Sequence, residues 1–265
     1  IGGSSLAAYI AQNSAGGSGV TIDGNQNTYA GDNVLSSLTT GQANTAFGEG
    51  SMVSATEGSY NSAFGISTLQ SLTTGSDNTA VGNGALQNTT EGSRNVALGA
   101  TALYSNTTGE FNTAIGYETM RSNLTGSNST ALGWGALKNA DGGSNTAVGS
   151  TALHDLTSGS RNTALGQYAG YKTITGSENT YLGQEAGYSN SSGENNVFLG
   201  FQAGSSVEAG DGNIFIGSQA CSTLNNTWNN YFCLGSNGNN LMTGNMLSGI
   251  LVIGNGTGYT HVDGA

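Results

Sequence analysis

The stretch NVALGATALYSNTTGEFNTAIG, residues 95–116, contains its own echo: NVALG at 95–99 returns as NTAIG at 112–116. With the closing glycine of the pentamer as a marker, the series runs Gly31, Gly48, Gly65, Gly82, Gly99, Gly116, Gly133, Gly149, Gly166, Gly183, Gly200 and Gly217. The step is seventeen residues throughout, save one of sixteen between Gly133 and Gly149. A second glycine keeps the same beat between pentamers, from Gly41 and Gly58 to Gly193 and Gly210. A fixed period of this length marks a stacked, quasi-one-dimensional architecture. It predicts an all-β fold, a parallel β-roll or β-solenoid of 17-residue coils, about 11–13 in number.

Within the pentamer, alternation places positions two and four on one face of a short strand. Position four is always apolar: Phe47, Phe64, Val81, Leu98, Ile115, Leu132, Val148, Leu165, Leu182, Leu199 and Ile216. This column is the expected core. Position three, alanine through the middle and then Tyr181, Phe198 and Phe215, is expected to form a weakly apolar stripe outside. Position one recurs as Asn27, Asn44, Asn61, Asn78, Asn95, Asn112, Asn145, Asn162, Asn179, Asn196 and Asn213, interrupted by Ser129. Stacked Asn amides hydrogen-bond along a cross-β ladder, so the column reads as structural.

After the marker comes GxxAL, as in Ala102-Leu103 and Ala152-Leu153, which reads as a second short strand. From Gly166 onward its Leu becomes Gly170, Gly187 and Gly204, where the aromatic residues enter position three. The exchange predicts compensation of volume between neighbouring faces. The recurrent glycines predict positive φ or close approach of backbones at the corners.

Three segments follow: a lead-in at 1–20, the regular repeat at 21–217, and irregular coils forming a cap or tip at 218–265. An atypical end protects the open edge of a solenoid. Cys221 and Cys233 both fall in this last segment, either as a disulfide or as small buried hydrophobes.

Charged residues make up 8% of the chain, the formal net charge is −11, and Lys and Arg total only 5. No basic face can form, which excludes nucleic acid as a partner. No apolar run is long enough to span a membrane as a helix. Catalytic chemistry is thinly provided. His154 and His261 each have one neighbouring acid, Asp155 or Asp263, and no GxSxG surrounds a serine. The glutamates, Glu57 and Glu91 among them, fall at turns, which leaves a carbohydrate-degrading tailspike-like enzyme with paired carboxylates as a subordinate alternative. The GGxGxD register of calcium β-rolls is missing, so neither a cofactor nor a metal is expected.

A thin two-sided roll with an uncovered apolar stripe favours assembly with copies of itself. The pattern NTAxGxxAL…TTG resembles the head repeats of trimeric autotransporter adhesins, whose SVAIGxxA units form a left-handed parallel β-roll in an intertwined homotrimer. It is similar also to the shaft repeats of phage tail and head fibres and related bacterial surface fibres. The likeness covers residues 22–235. The unit here is longer than the usual autotransporter head unit, and no coiled-coil stalk or outer-membrane anchor is present, which favours a virion or secreted fibre.

The resemblance implies a non-enzymatic, extracellular homotrimeric fibre that presents a surface attachment, on a phage virion or alternatively a bacterial surface. A cell-surface glycan or receptor is the implied partner. Aromatic residues suited to sugar stacking are Trp134, Tyr104, Tyr117, Tyr171, Tyr188 and Trp228. A free-standing ice-binding solenoid is the alternative from another class, resting on Thr39, Thr56, Thr73, Thr90, Thr107 and Thr157 at the turn before the second glycine.

Overall fold

The computed structural model describes residues 19–223, 228–237, 239–248, 250–253 and 260–262. Most of the lead-in and the end of the C-terminal segment lie outside these residues. The described residues contain strands and turns and no helix. Two compact units, Ile1–Ser127 and Asn128–Ala265, divide the chain. Each is a parallel β-solenoid with one three-residue strand per coil.

In the first unit β1 (Thr21–Ile22) pairs antiparallel with β2 (Thr28–Ala30). Parallel partners follow in register: β3 (Thr45–Phe47), β4 (Ser62–Phe64), β5 (Thr79–Val81), β6 (Val96–Leu98) and β7 (Thr113–Ile115). In the second unit β8 (Thr130–Leu132), β9 (Thr146–Val148), β10 (Thr163–Leu165), β11 (Thr180–Leu182), β12 (Val197–Leu199) and β13 (Ile214–Ile216) do the same. There β14 (Tyr231–Ser236) adds one more parallel strand. The chain then reverses, and β15 (Asn239–Asn245), β16 (Ile250–Ile253) and β17 (Thr260–Val262) form an antiparallel meander rather than further coils.

The Asn column runs along the inside of each coil. The Oδ1 of Asn78 accepts from the Asn95 N–H at 3.0 Å, and that of Asn95 from the Asn112 N–H at 3.0 Å. Each amide also donates fourteen residues ahead, Asn95 Nδ2 to the Gly109 carbonyl at 2.8 Å. The same pattern holds in the second unit, where Asn162 donates through N–H to Asn145 Oδ1 and through Nδ2 to the Gly176 carbonyl. At the break, buried Ser129 supplies the acceptor, its Oγ receiving the Asn145 N–H at 3.1 Å. The sixteen-residue coil gives up its residue at a half-buried turn, where the Asp141 and Gly142 N–H groups both reach the Thr157 carbonyl. Gly142 thereby keeps the second glycine column intact.

The ladder settles which face is inside, and it overturns the expected core. Asn is buried, so position three, of the same parity, is buried with it: Ala46, Ala63, Ala80, Ala97 and Ala114 in the first unit, and Ala131, Ala147, Ala164, Tyr181, Phe198 and Phe215 in the second. Position four points outward. Phe47, Val81, Ile115, Val148 and Ile216 are half-buried, and Phe64, Leu98, Leu132, Leu165, Leu182 and Leu199 are exposed. The reason is width. Leu86, Leu103, Leu137 and Leu153 fill the coil from the opposite wall and leave room only for a methyl group across from them.

GxxAL is likewise not a strand. Its backbone alternates between right- and left-handed residues, with Thr101 at φ 55° and Leu103 at φ 51°. Amides still reach neighbouring coils, Leu86 N–H to the Ala102 carbonyl and Leu103 N–H to the Thr119 carbonyl, each at 3.0 Å. This winding turns a corner in a few residues without losing inter-coil bonds. It costs roughly 1–2 kcal/mol for each left-handed non-glycine residue.

That cost is relieved at Gly170, Gly187 and Gly204, where φ is about +60° and the side chain is gone. The vacated space holds aromatic rings. A Cβ on Gly170 would lie 2.6 Å from Tyr181 Cδ2, and one on Gly204 would lie 3.0 Å from both Phe198 and Phe215. Volume is exchanged between the walls, as the sequence implies. Tyr181 is wholly buried, and its hydroxyl accepts from Asn190 Nδ2 at 2.8 Å and Thr173 Oγ1 at 3.3 Å. Burial pushes its phenol well above the usual range. Among the marker glycines φ runs from 118° to 140°, and a Cβ on Gly82 would sit 2.6 Å from the Gly99 carbonyl carbon.

Two predictions follow from this packing. Asn95→Ala strands the Asn112 N–H in a dry interior and leaves the Gly109 carbonyl to Asn106 Nδ2 alone, at a cost of about 1–3 kcal/mol read as a lowered melting temperature. Asn95→Ser, which keeps an acceptor as Ser129 does, should lose less. Separately, Gly187→Leu should destabilise strongly by clashing with Tyr181 and Phe198, and adding Tyr181→Ala should restore part of the loss in a thermal melt.

Candidate functional site

With positions one and three turned inward, each unit presents an outer face of two columns, position two and position four. In the second unit position two is threonine at Thr130, Thr146, Thr163 and Thr180, all exposed, before Val197 and Ile214. Beside it stand the exposed leucines, Leu132 at 45% and Leu165 at 47% of full accessibility. In the first unit the rings of Phe47 and Phe64 stack at 5.5 Å, nearly parallel. The face is regular and free of charge along both columns.

The threonines singled out at the turn sit elsewhere and are already engaged. Thr39 Oγ1 donates to the Thr56 carbonyl at 2.9 Å, and Thr107 and Thr157 donate likewise one coil onward. Their donors are spent within the coil stack.

The six aromatic candidates do not form one site. Tyr104 lies under the Arg121 guanidinium, whose carbon is 5.6 Å from the ring centroid. Tyr117 and Trp134 are half-exposed surface rings on the two separate units. Trp228 meets Tyr231 edge-on at 4.5 Å, and its carbonyl accepts from Asn213 Nδ2, the last rung of the ladder.

Tyr171 and Tyr188, by contrast, are brought together. They stack at 5.4 Å, and Tyr171 stacks in turn on His154 at 5.1 Å. Tyr168 meets both tyrosines edge-on. The three stacked rings stand seventeen residues apart, so the coil itself sets them in register. His154 and Tyr168 were not anticipated as members. The spacing 154, 171, 188 was the available signal.

Polar groups surround this ladder. His154 Nδ1 is 2.7 Å from Asp155 Oδ1, and Lys172 Nζ lies 5.2 Å from the Tyr188 centroid. Glu185 is held by Gln202 Nε2 at 2.7 Å. Burial, with a smaller contribution from the Asp155 carboxylate and the neighbouring tyrosines, raises the Tyr171 phenol above its ordinary value. A groove of about 620 Å³ opens beside Tyr188, lined by Tyr168, Tyr171, Glu185, Ser189, Ser205 and Ser206. A second, of about 290 Å³, adjoins it at Ser189 and includes Asp155, Lys172 and Glu208. Among the described residues no three His, Cys, Asp or Glu side chains gather as a metal site would require.

In the C-terminal segment Cys221 and Cys233 form a disulfide with a Cα–Cα separation of 6.2 Å. It ties the last regular turn to β14. No family model, curated protein or solved structure matches the chain. No helix among the described residues is long and apolar enough to cross a membrane. For the disulfide, a short closed loop of this kind contributes about 3 kcal/mol. Thiol labelling of the folded protein should find no reactive cysteine, and reduction should speed proteolysis within residues 218–248 while sparing the earlier coils.

Proposed function

We propose that this chain is a non-enzymatic, extracellular fibre segment that assembles as a homotrimer and holds an attachment surface away from the body that carries it, a phage virion or alternatively a bacterial cell. The observation that carries this reading is the outward column of apolar residues on the strand faces, above all Leu132, Leu165, Leu182 and Leu199. A regular apolar column on every coil is a poor solvent-facing surface and a good self-complementary one, because a sister copy offers the same column at the same spacing. The partner is therefore a further copy of this chain. The disulfide supports an oxidising location. The short turns of the repeat, fastened coil to coil by backbone bonds, support resistance to proteolysis.

The mass in solution tests the assembly. A species of three times 26.5 kDa is expected, and replacing Leu132, Leu165 and Leu199 together by aspartate should yield monomers. A monodisperse monomer for the unaltered chain overturns the reading.

A second reading is favoured by one observation, the exposed threonine column Thr130, Thr146, Thr163 and Thr180 beside the leucines. A flat lattice of hydroxyl and methyl groups is the surface an ice-binding solenoid needs. Thermal hysteresis from a monomer would establish it, whereas a trimeric fibre that buries this face should show none.

A further inference from the structure

We propose that the groove beside Tyr188 binds a neutral pyranose, so that the second unit carries its own saccharide site. The proposal rests on the attachment reading and gives it a ligand class. Its basis is the way the aromatic ladder stops. Rings stand at 154, 171 and 188, and the next position in the column, seventeen residues on, is Ser205. His154, Tyr171 and Tyr188 cover one another in turn. Tyr188 has no ring beyond it, and the space where one would lie is the groove lined by Tyr188, Ser205 and Ser206.

An aromatic face left open above a hydroxyl floor suits a flat ring with C–H bonds on one side and hydroxyls around its rim. A pyranose is such a ring. The surrounding groups match that rim. The Glu185 carboxylate, fixed by Gln202, accepts from sugar hydroxyls, and an ionised acceptor makes the stronger kind of hydrogen bond. Lys172, whose ammonium lies 5.2 Å from the Tyr188 centroid, donates. Ser189, Ser205 and Ser206 do either. A volume of about 620 Å³ accommodates more than one residue of a chain, and the adjoining groove at Ser189 lengthens the track.

The charge selects among sugars. Asp155, Glu185 and Glu208 outnumber Lys172 around the two grooves, and the whole chain stands at −11. An acidic sugar would enter against that field, so the class is neutral. A single site of this kind is weak, and repetition on neighbouring copies would raise the avidity.

Saturation-transfer NMR with methyl β-D-glucopyranoside, methyl β-D-galactopyranoside and the methyl glycoside of N-acetylneuraminic acid tests the proposal on the whole protein. Transfer to the C–H protons of at least one neutral pyranoside is expected, and it should exceed transfer to the acidic sugar. Tyr188→Ala should weaken binding roughly tenfold, the upper end of what an aromatic contact supports.

Ser205→Tyr adds the missing ring to the ladder. It should abolish the signal while the melting temperature holds, which separates a blocked site from a damaged fold. No transfer to either neutral sugar, a stronger response to the acidic one, or an undiminished signal in the Ser205→Tyr protein overturns the proposal. The mass measured on the same sample reports the trimer independently, so a silent trimer sinks the saccharide site alone, and a sugar-binding monomer sinks the assembly alone.

Discussion

The structure depends on an amide that is both buried and fully used. In coil after coil, with Ser129 the exception in the column, an Asn accepts the backbone N–H of its counterpart in the next coil and donates to a glycine carbonyl, as Asn95 does. A buried polar group without a partner costs more than a made bond returns, so every rung demands the next. The ladder thus fixes register, because a slip of one residue would swing each Asn into solvent and bring threonine inside. It also fixes spacing. The second glycine of every coil must lie close enough to accept, and a Cβ on Gly58 would come within 2.5 Å of the Gly75 carbonyl oxygen.

What remains of the interior is narrow, and its filling follows a rule of constant volume. Through most of both units alanine on one wall faces leucine or methionine on the other. From Gly170 the assignment is exchanged, with a ring on the strand wall and glycine opposite. The exchange changes more than volume. The leucines sit in a left-handed conformation that glycine adopts freely, so the aromatic coils shed backbone strain as they gain ring contacts. Tyr181 also needs a polar partner that a leucine does not, and Asn190 and Thr173 supply one to its hydroxyl.

Period, stacking and the Asn column were legible in the sequence because in-register stacking imposes the same demand at every seventeenth residue. The direction of the strand faces was not. Alternation says which residues share a face and is silent on which face is inside, and choosing the larger side chains for the core placed Phe47 and Leu98 on the wrong side. The deciding clue was parity: an unvarying Asn is worth little to a solvated surface, so the residue two places on from it belongs inside with it. GxxAL misled for a different reason. Left-handed leucines such as Leu103 leave no signature in composition, since tertiary packing and not propensity holds them there. Aromatic candidates chosen one by one for exposure missed His154 and Tyr168, whereas following the column 154, 171, 188 finds the ladder directly.

A periodic fold has to spend its regularity on itself, and this limits where anything else can happen. Wherever a column is complete, each side chain is answered by the one above and below, as the turn threonines are by carbonyls of the next coil. Recognition then belongs to columns turned wholly outward or to the places where a column stops. The C-terminal segment shows how the parallel stack gives way to an antiparallel meander. Asn213 still donates its amide, but to the Trp228 carbonyl, and its Oδ1 receives the Tyr231 N–H as β14, the last parallel strand, begins. The disulfide to Cys233 anchors that strand, and β15 then pairs antiparallel with it. At Ser205 the stack of rings ends, and the half-buried Tyr188 borders a groove.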